Sequence, residues 1–223
     1  MTQRKARLIG VAASALALYG LLWLGVALQW RWVAAMDRAA LDPLHDFGAT
    51  RPGWISFWDV FCTVLGPTAF RLAALVVIVV ALARRNLRAA LFLVVSVELG
   101  GLITEAAKVA ADRPRPAGAL VHAWGSSFPS GHALGVMVGV LALLTLLLPV
   151  TRRPLRIWLI LVGAAAVLAI GVGRVVLNVH HPSDVIAGWA LGCVWYVVCL
   201  LTVPPVAPVT EADETPAAPD NSR

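Results

Sequence analysis

The sequence predicts an all-α fold: a polytopic membrane protein whose six transmembrane helices form one bundle over residues 1–203, with a polar site at its extracytoplasmic end. Three observations lead there. Of 223 residues, 60% are hydrophobic and only 13% are charged, about half the charged fraction of a soluble domain. Mean hydropathy is +0.82. The apolar residues fall into six runs, each near the ~20 residues that cross a hydrocarbon core, and clusters of basic residues sit on alternate loops between them.

The first run, Leu8 to Leu28, is uncharged. Its basic start and small residues at Ala15 and Ala17 resemble a secretory signal, but its length favours a retained anchor. The second runs from Thr68 to Ala83, with Gly66-Pro67 and Arg71 crowding its start. The third, Ala89 to Ala107, carries two acids, Glu98 and Glu105. The fourth is Ala133 to Val150, the fifth Ile157 to Gly173 and the sixth Val185 to Val203. Residues 29–67 form a longer connection with Trp30, Trp32, Trp54 and Trp58, expected to be one or two helices lying on the membrane surface. Indole rings favour the headgroup zone. Residues 204–223 are Pro-rich and acidic and are expected to be a disordered cytoplasmic tail.

Charge sets the expected orientation. Arg4, Lys5 and Arg7 precede the first run, Arg84, Arg85 and Arg88 join the second to the third, and Arg152, Arg153 and Arg156 join the fourth to the fifth. Parity puts all three clusters on one side, and the positive-inside rule makes that side cytoplasmic. Both termini then lie in the cytoplasm. The connection 29–67, where Asp37, Asp42, Asp46 and Asp59 balance Arg31, Arg38 and Arg51, lies outside. The net charge of +6 comes from these clusters, so it gives no signal for nucleic acid. Cys62, Cys193 and Cys199 lack metal-type spacing and read as small hydrophobes.

Two remaining segments share the outer side. Between the third and fourth runs lie Lys108, Asp112, Arg113, Arg115, Ser126, Ser127, Ser130 and His132. Between the fifth and sixth lie Arg174, Asn178, His180, His181, Ser183 and Asp184. Lys108, Arg115 and Arg174 concentrate positive charge at a water–lipid boundary, and arginine offers a planar fork for phosphate oxygens. Ser130-Gly131-His132 opens a helix. Ser130 suits the N-cap, and the amides behind it point at any bound anion while Gly131 permits close approach. Asp184 follows His180 by four residues, with Pro182 suited to a first helical turn. A carboxylate there could hold one imidazole nitrogen and leave the other free to attack. His132 could serve as acid and base.

Together these residues resemble the type 2 phosphatidic acid phosphatase superfamily and its three-part signature. Lys108-Val-Ala-Ala-Asp-Arg-Pro-Arg115-Pro116 matches the first part, Pro129-Ser130-Gly131-His132 the second, and Gly173-Arg174-Val-Val-Leu-Asn-Val-His180-His-Pro-Ser-Asp184 the third. The resemblance implies that His180 is the nucleophile of a phosphohistidine intermediate and Asp184 its orienting partner. It implies that His132 protonates the leaving oxygen and then activates water. Lys108, Arg115, Ser130, Gly131 and Arg174 match the phosphate-binding groups. No metal or other cofactor is implied, and the sequence lacks the carboxylate cluster of a two-metal site.

One position departs from the pattern. The third motif usually opens with Ser, and here Gly173 stands there. Its backbone amide or a water is expected to take the place of the hydroxyl.

The implied function is a membrane lipid phosphatase of a bacterial plasma membrane. The first expectation is an undecaprenyl diphosphate phosphatase; phosphatidylglycerophosphate, phosphatidate and lipid A are alternative substrates. A lipid phosphotransferase and an anionic-lipid transporter are the rival readings. Its partners are its lipid phosphate substrate and the surrounding lipids, with no nucleic acid.

Each residue also has a plainer reading. Lone Lys and Arg side chains near helix ends often only snorkel to the interface, and Asp184 could merely complement a helix dipole. Arg113 reads as a solvated neighbour of Arg115, and His122 and His181 fit no role. Glu105, three residues before Lys108 on one helix face, is expected to position it. Glu98 is expected to pair with Arg71 or to be protonated.

Overall fold

The computed structural model describes residues 3–206, and all regular structure in them is helical. α1 spans Gln3–Ala27, α2 Arg31–Ala49, α3 Pro52–Val64 and α4 Pro67–Ala83. α5, Leu87–Leu93, continues through a π-helical turn, Val94–Glu98, into α6, Gly100–Ala111. α7 spans Gly131–Val150, α8 Arg153–Val176 and α9 Pro182–Thr202. Six stretches are long and apolar enough to cross a membrane: α1, α3 with α4, α5 through α6, α7, α8 and α9. The chain is a multi-pass membrane protein.

The second span differs from expectation. α3 and α4 together make one stretch long and apolar enough to cross, Pro52–Ala83, so the candidate span begins well before Thr68. The chain breaks at Gly66, and Pro67 restarts the helix at its first turn, where a missing N–H costs nothing. α3 packs on α8, and Cys62 is fully buried there against Val167 and Ile170. α2 lies in the connection ahead of this stretch. Val33, Asp37 and Leu41 recur every fourth residue on its buried face, which packs on α8 and α9. The tail expected to be disordered falls almost wholly outside the described residues.

α7 is the centre of the bundle and touches α4, α6, α8 and α9, while α1 lies along α9. Lipid tails give helices no hydrophobic drive to associate, so close backbone approach matters more. Gly188 and Gly192, one turn apart on α9, supply it. A Cβ on Gly188 would lie 2.6 Å from the Ser130 carbonyl oxygen, and one on Gly192 3.0 Å from the Leu134 oxygen. This contact presses the start of α9 against the start of α7. In the third span the π turn opens the helix, and Trp195 donates to the Ser96 carbonyl at 3.0 Å.

Candidate active site

The site forms where α6 ends, α7 begins, α8 ends and α9 begins. Ser130 caps α7 as expected, its Oγ accepting from the Ala133 amide at 3.5 Å. Its own amide donates to the Asp184 carbonyl at 2.9 Å, tying the second motif to the third. Gly131 lies beside α6, where a Cβ would be 3.1 Å from Thr104 and 4.0 Å from Nζ of Lys108. Lys108 meets Glu105 at 3.2 Å, the pairing that their spacing predicts.

The segments between helices are stapled by polar contacts. Arg113 N–H donates to Ser126 Oγ and Ser127 N–H to the Arg113 carbonyl. Asn178 holds a left-handed backbone conformation and donates to the carbonyls of Ala117 and Gly118, both at 3.1 Å. Arg115 donates to the carbonyls of Val179 at 2.8 Å and Trp124 at 2.6 Å. That brings its Nη1 within 3.4 Å of His180 Nε2.

His180 is buried, and its Nδ1 lies 2.8 Å from the Ser127 carbonyl oxygen. Because a carbonyl only accepts, Nδ1 carries the proton and Nε2 keeps its lone pair, which faces Arg115 Nη1. Asp184 was the expected holder of this ring. Its Oδ2 is 3.7 Å from Nδ1, beyond hydrogen-bond length. It acts on the ring as a nearby negative charge, while the Ser127 carbonyl makes the bond. Burial pushes the His180 imidazole down from 6.5 to about 4; Asp184 opposes this, and Arg174 and Arg115 add to it.

Arg174 sits at the last turn of α8 and is only 8% exposed. Among the described residues it has no ion pair, and its Nε is buried without a hydrogen-bond partner, as is that of Arg115. His132 lies within electrostatic reach of Arg174, His180, Lys108 and Arg115. Across from it, a Cβ on Gly66 would come 3.2 Å from its ring, so the break between α3 and α4 borders the site. The structure therefore gathers Lys108, Arg115, Ser130, Gly131, His132, Arg174, His180 and Asp184 at one end of the bundle. A buried, unpaired cation among further cations suits a dianionic phosphoryl group.

Gly173 serves packing: a Cβ there would lie 2.5 Å from Cys62 Sγ and 2.7 Å from the Trp58 ring. Glu98 makes no ion pair with Arg71 among the described residues, and its Oε1 is buried without a partner.

Three residues close to the site were missed. Arg113 is not a solvated neighbour; it bridges Asp184 Oδ1 at 2.5 Å and Asp37 Oδ2 at 2.8 Å. Asp37, on α2, is 2% exposed and also binds Ser183 through its amide and hydroxyl. His181 Nδ1 lies 3.1 Å from Asp184 Oδ2, which also accepts the His181 amide at 2.8 Å. An open vestibule between α2 and residues 112–117 reaches Arg113, Arg115 and His181.

Comparison with known proteins agrees with this architecture. The PAP2 superfamily model matches residues 89–207. An undecaprenyl-diphosphatase of Sulfolobus acidocaldarius is 34% identical over 88 residues, covering 40% of this chain and 38% of that protein. Phosphatidylglycerophosphatase B of Bacillus subtilis is 37% identical over 95 residues, covering 41% of this chain and 46% of its own. The match thus spans less than half the length of each curated relative. The crystal structure of a transmembrane PAP2-type phosphatidylglycerolphosphate phosphatase from Bacillus subtilis superposes with a TM-score of 0.70 at 22% identity. It covers 84% of this chain and 93% of that one, a likeness of fold.

Proposed function

The chain belongs to the PAP2 superfamily, and on that premise we propose that it is a membrane lipid phosphatase working through a phosphohistidine. The observation that carries the reading is Arg174, buried and unpaired, converging with Lys108, Arg115, His132 and His180. A buried cation without an anionic partner is costly, and a bound phosphoryl group supplies that partner.

In this reading Nε2 of His180 attacks phosphorus, and the bond from phosphorus to the lipid oxygen breaks. His132 delivers a proton to the leaving oxygen. A water, deprotonated by His132, then attacks phosphorus, the N–P bond breaks, and inorganic phosphate leaves. Lys108, Arg115 and Arg174, with the Gly131 amide and Ser130, hold the phosphoryl oxygens. Their positive charge does the work that a metal does elsewhere, and the reaction is read as metal-independent. Asp184 stabilises the charge that develops on the His180 ring.

The site faces the extracytoplasmic side of the membrane, at headgroup depth. Undecaprenyl diphosphate is the proposed substrate. The catalytic motifs sit at helix ends, so a lipid tail can stay in the bilayer while its phosphate is presented to them. The Sulfolobus relative carries that activity in its name. The Bacillus relative favours the second reading, phosphatidylglycerophosphate.

The test is phosphate release from farnesyl and undecaprenyl diphosphate, phosphatidylglycerophosphate and phosphatidate in mixed micelles at matched surface concentration. The isoprenoid diphosphates should turn over fastest, and His180→Ala should abolish release. Full activity in His180→Ala, or no release from any lipid, overturns the phosphatase. A clear preference for phosphatidylglycerophosphate overturns only the substrate.

A further inference from the structure

We propose that Asp37 and Arg113 are positioning residues: a clamp between α2 and the start of α9 that fixes Asp184 and, through the turn it closes, the direction of His180 Nε2. The proposal rests on the phosphatase reading.

Every strong acceptor of Asp184 is already engaged. Oδ1 takes Nη1 of Arg113, while Oδ2 takes the amide and Nδ1 of His181. Asp184 is fully buried, so it cannot rotate to make a bond to His180 without abandoning one of these. What holds Asp184 therefore also sets the 3.7 Å gap between Oδ2 and the His180 ring. Arg113 completes the clamp. Its Nη1 also reaches Ser183 Oγ at 2.7 Å, and its Nη2 reaches Asp37 Oδ2 at 2.8 Å. Asp37 closes the circuit by accepting the Ser183 amide at 2.9 Å and the Ser183 hydroxyl at 2.8 Å.

Two carboxylates and one guanidinium give this cluster a net negative charge. The planar fork of Arg113 bridges both acids at once, which lysine cannot do. Residues 146 apart in sequence are joined here, and the joint lies two residues from the nucleophile's neighbour His181. Among the described residues, these side-chain atoms make no hydrogen bond to the side chains of Lys108, Arg115 or Arg174. Loss of the clamp should therefore reduce the rate of attack and leave substrate capture nearly intact.

The groups facing His180 are Arg115 from the segment before α7, His132 from α7, Arg174 from α8 and Asp184 from α9. Arg113 partly offsets the charge of Asp184. Without it Asp184 acts more strongly on His180 and favours the imidazolium, so the acid limb of the rate profile should move to higher pH.

The experiment measures phosphate release from farnesyl diphosphate by the full chain in detergent, for the unmodified enzyme, Asp37→Asn, Arg113→Gln and Ser183→Ala. Asp37→Asn and Arg113→Gln should lose roughly tenfold to hundredfold in kcat, the penalty expected when a reacting atom is misplaced, with KM changed less than about threefold. Arg113→Gln should also shift the acid limb upward. Ser183→Ala removes one hydroxyl and keeps the backbone bond; its smaller loss in kcat, at unchanged KM, keeps the test readable if the charge variants do not fold. Lower thermal stability with kcat and the pH profile unchanged would reduce the cluster to a structural tie and overturn the proposal. An inactive unmodified enzyme would overturn the phosphatase reading, and the clamp would fall with it.

Discussion

At the scale of single residues, the proposed chemistry turns on which nitrogen of His180 carries the proton. The Ser127 carbonyl fixes the proton on Nδ1, and burial keeps the ring neutral well below its ordinary range. Histidine NMR on the 15N-labelled protein in micelles should therefore show His180 titrating near 4 instead of 6.5. Asp184 favours the charged ring, so Asp184→Asn should move that titration to still lower pH; an upward move would contradict the assignment. His132 gives a second residue-scale expectation. A phosphate leaving group needs less help from an acid than an alkoxide does. His132→Ala should therefore slow a lipid monophosphate more than an isoprenoid diphosphate, measured as the ratio of the two rates. Equal losses would remove the acid role. Motif spacing made these residues legible before any coordinates. Arg113 and Asp37 were not legible, because their meaning lies in a contact between distant segments. An arginine two positions from Arg115 reads as solvated until α2 is laid against it. The signal that could have found Asp37 is its place between Val33 and Leu41 on the buried stripe of α2, where an unpaired acid is costly.

At the scale of elements, five of the six spans lie where their apolar runs put them, with ends shifted by a few residues. The exception is α3. Its four bulky aromatics, Trp54, Phe57, Trp58 and Phe61, meet edge to face around Trp58, and Trp54 and Trp58 read in sequence as headgroup anchors. Tertiary packing adds a second role, because Trp58 and Cys62 fill the space that Gly173 leaves open on α8. This also revises the expectation for Gly173. A serine there would restore the usual hydroxyl of the motif, yet its Cβ would sit 2.5 Å from Cys62 Sγ and 2.7 Å from the Trp58 ring. Overpacking of that kind typically costs about 1–3 kcal/mol. Gly173→Ser should therefore lower thermal stability and activity, and adding Cys62→Ala should recover part of both by removing the sulfur. A stable, fully active Gly173→Ser enzyme would show that α3 yields easily at this contact.

At the scale of the whole molecule, the six spans give the site a side. The three segments that build it, residues 29–51 with α2, 112–130 and 177–181, all emerge at one end of the bundle. The junctions carrying Arg84, Arg85 and Arg88, and Arg152 and Arg153, emerge at the other. Joining α3 to α4 changes the length of the second span and leaves this parity intact. The basic clusters contain no acid, and lysines and arginines near span ends favour the cytoplasm. On the proposed reading the site end is extracytoplasmic, where a carrier lipid that has delivered its cargo across the membrane would present its diphosphate. A reporter active only outside the cytoplasm should therefore be on when fused after Gly118 and off when fused after Arg153. The opposite pattern would turn the site toward the cytoplasm. It would remove the carrier-lipid assignment while leaving intact a lipid phosphatase that acts on the inner leaflet.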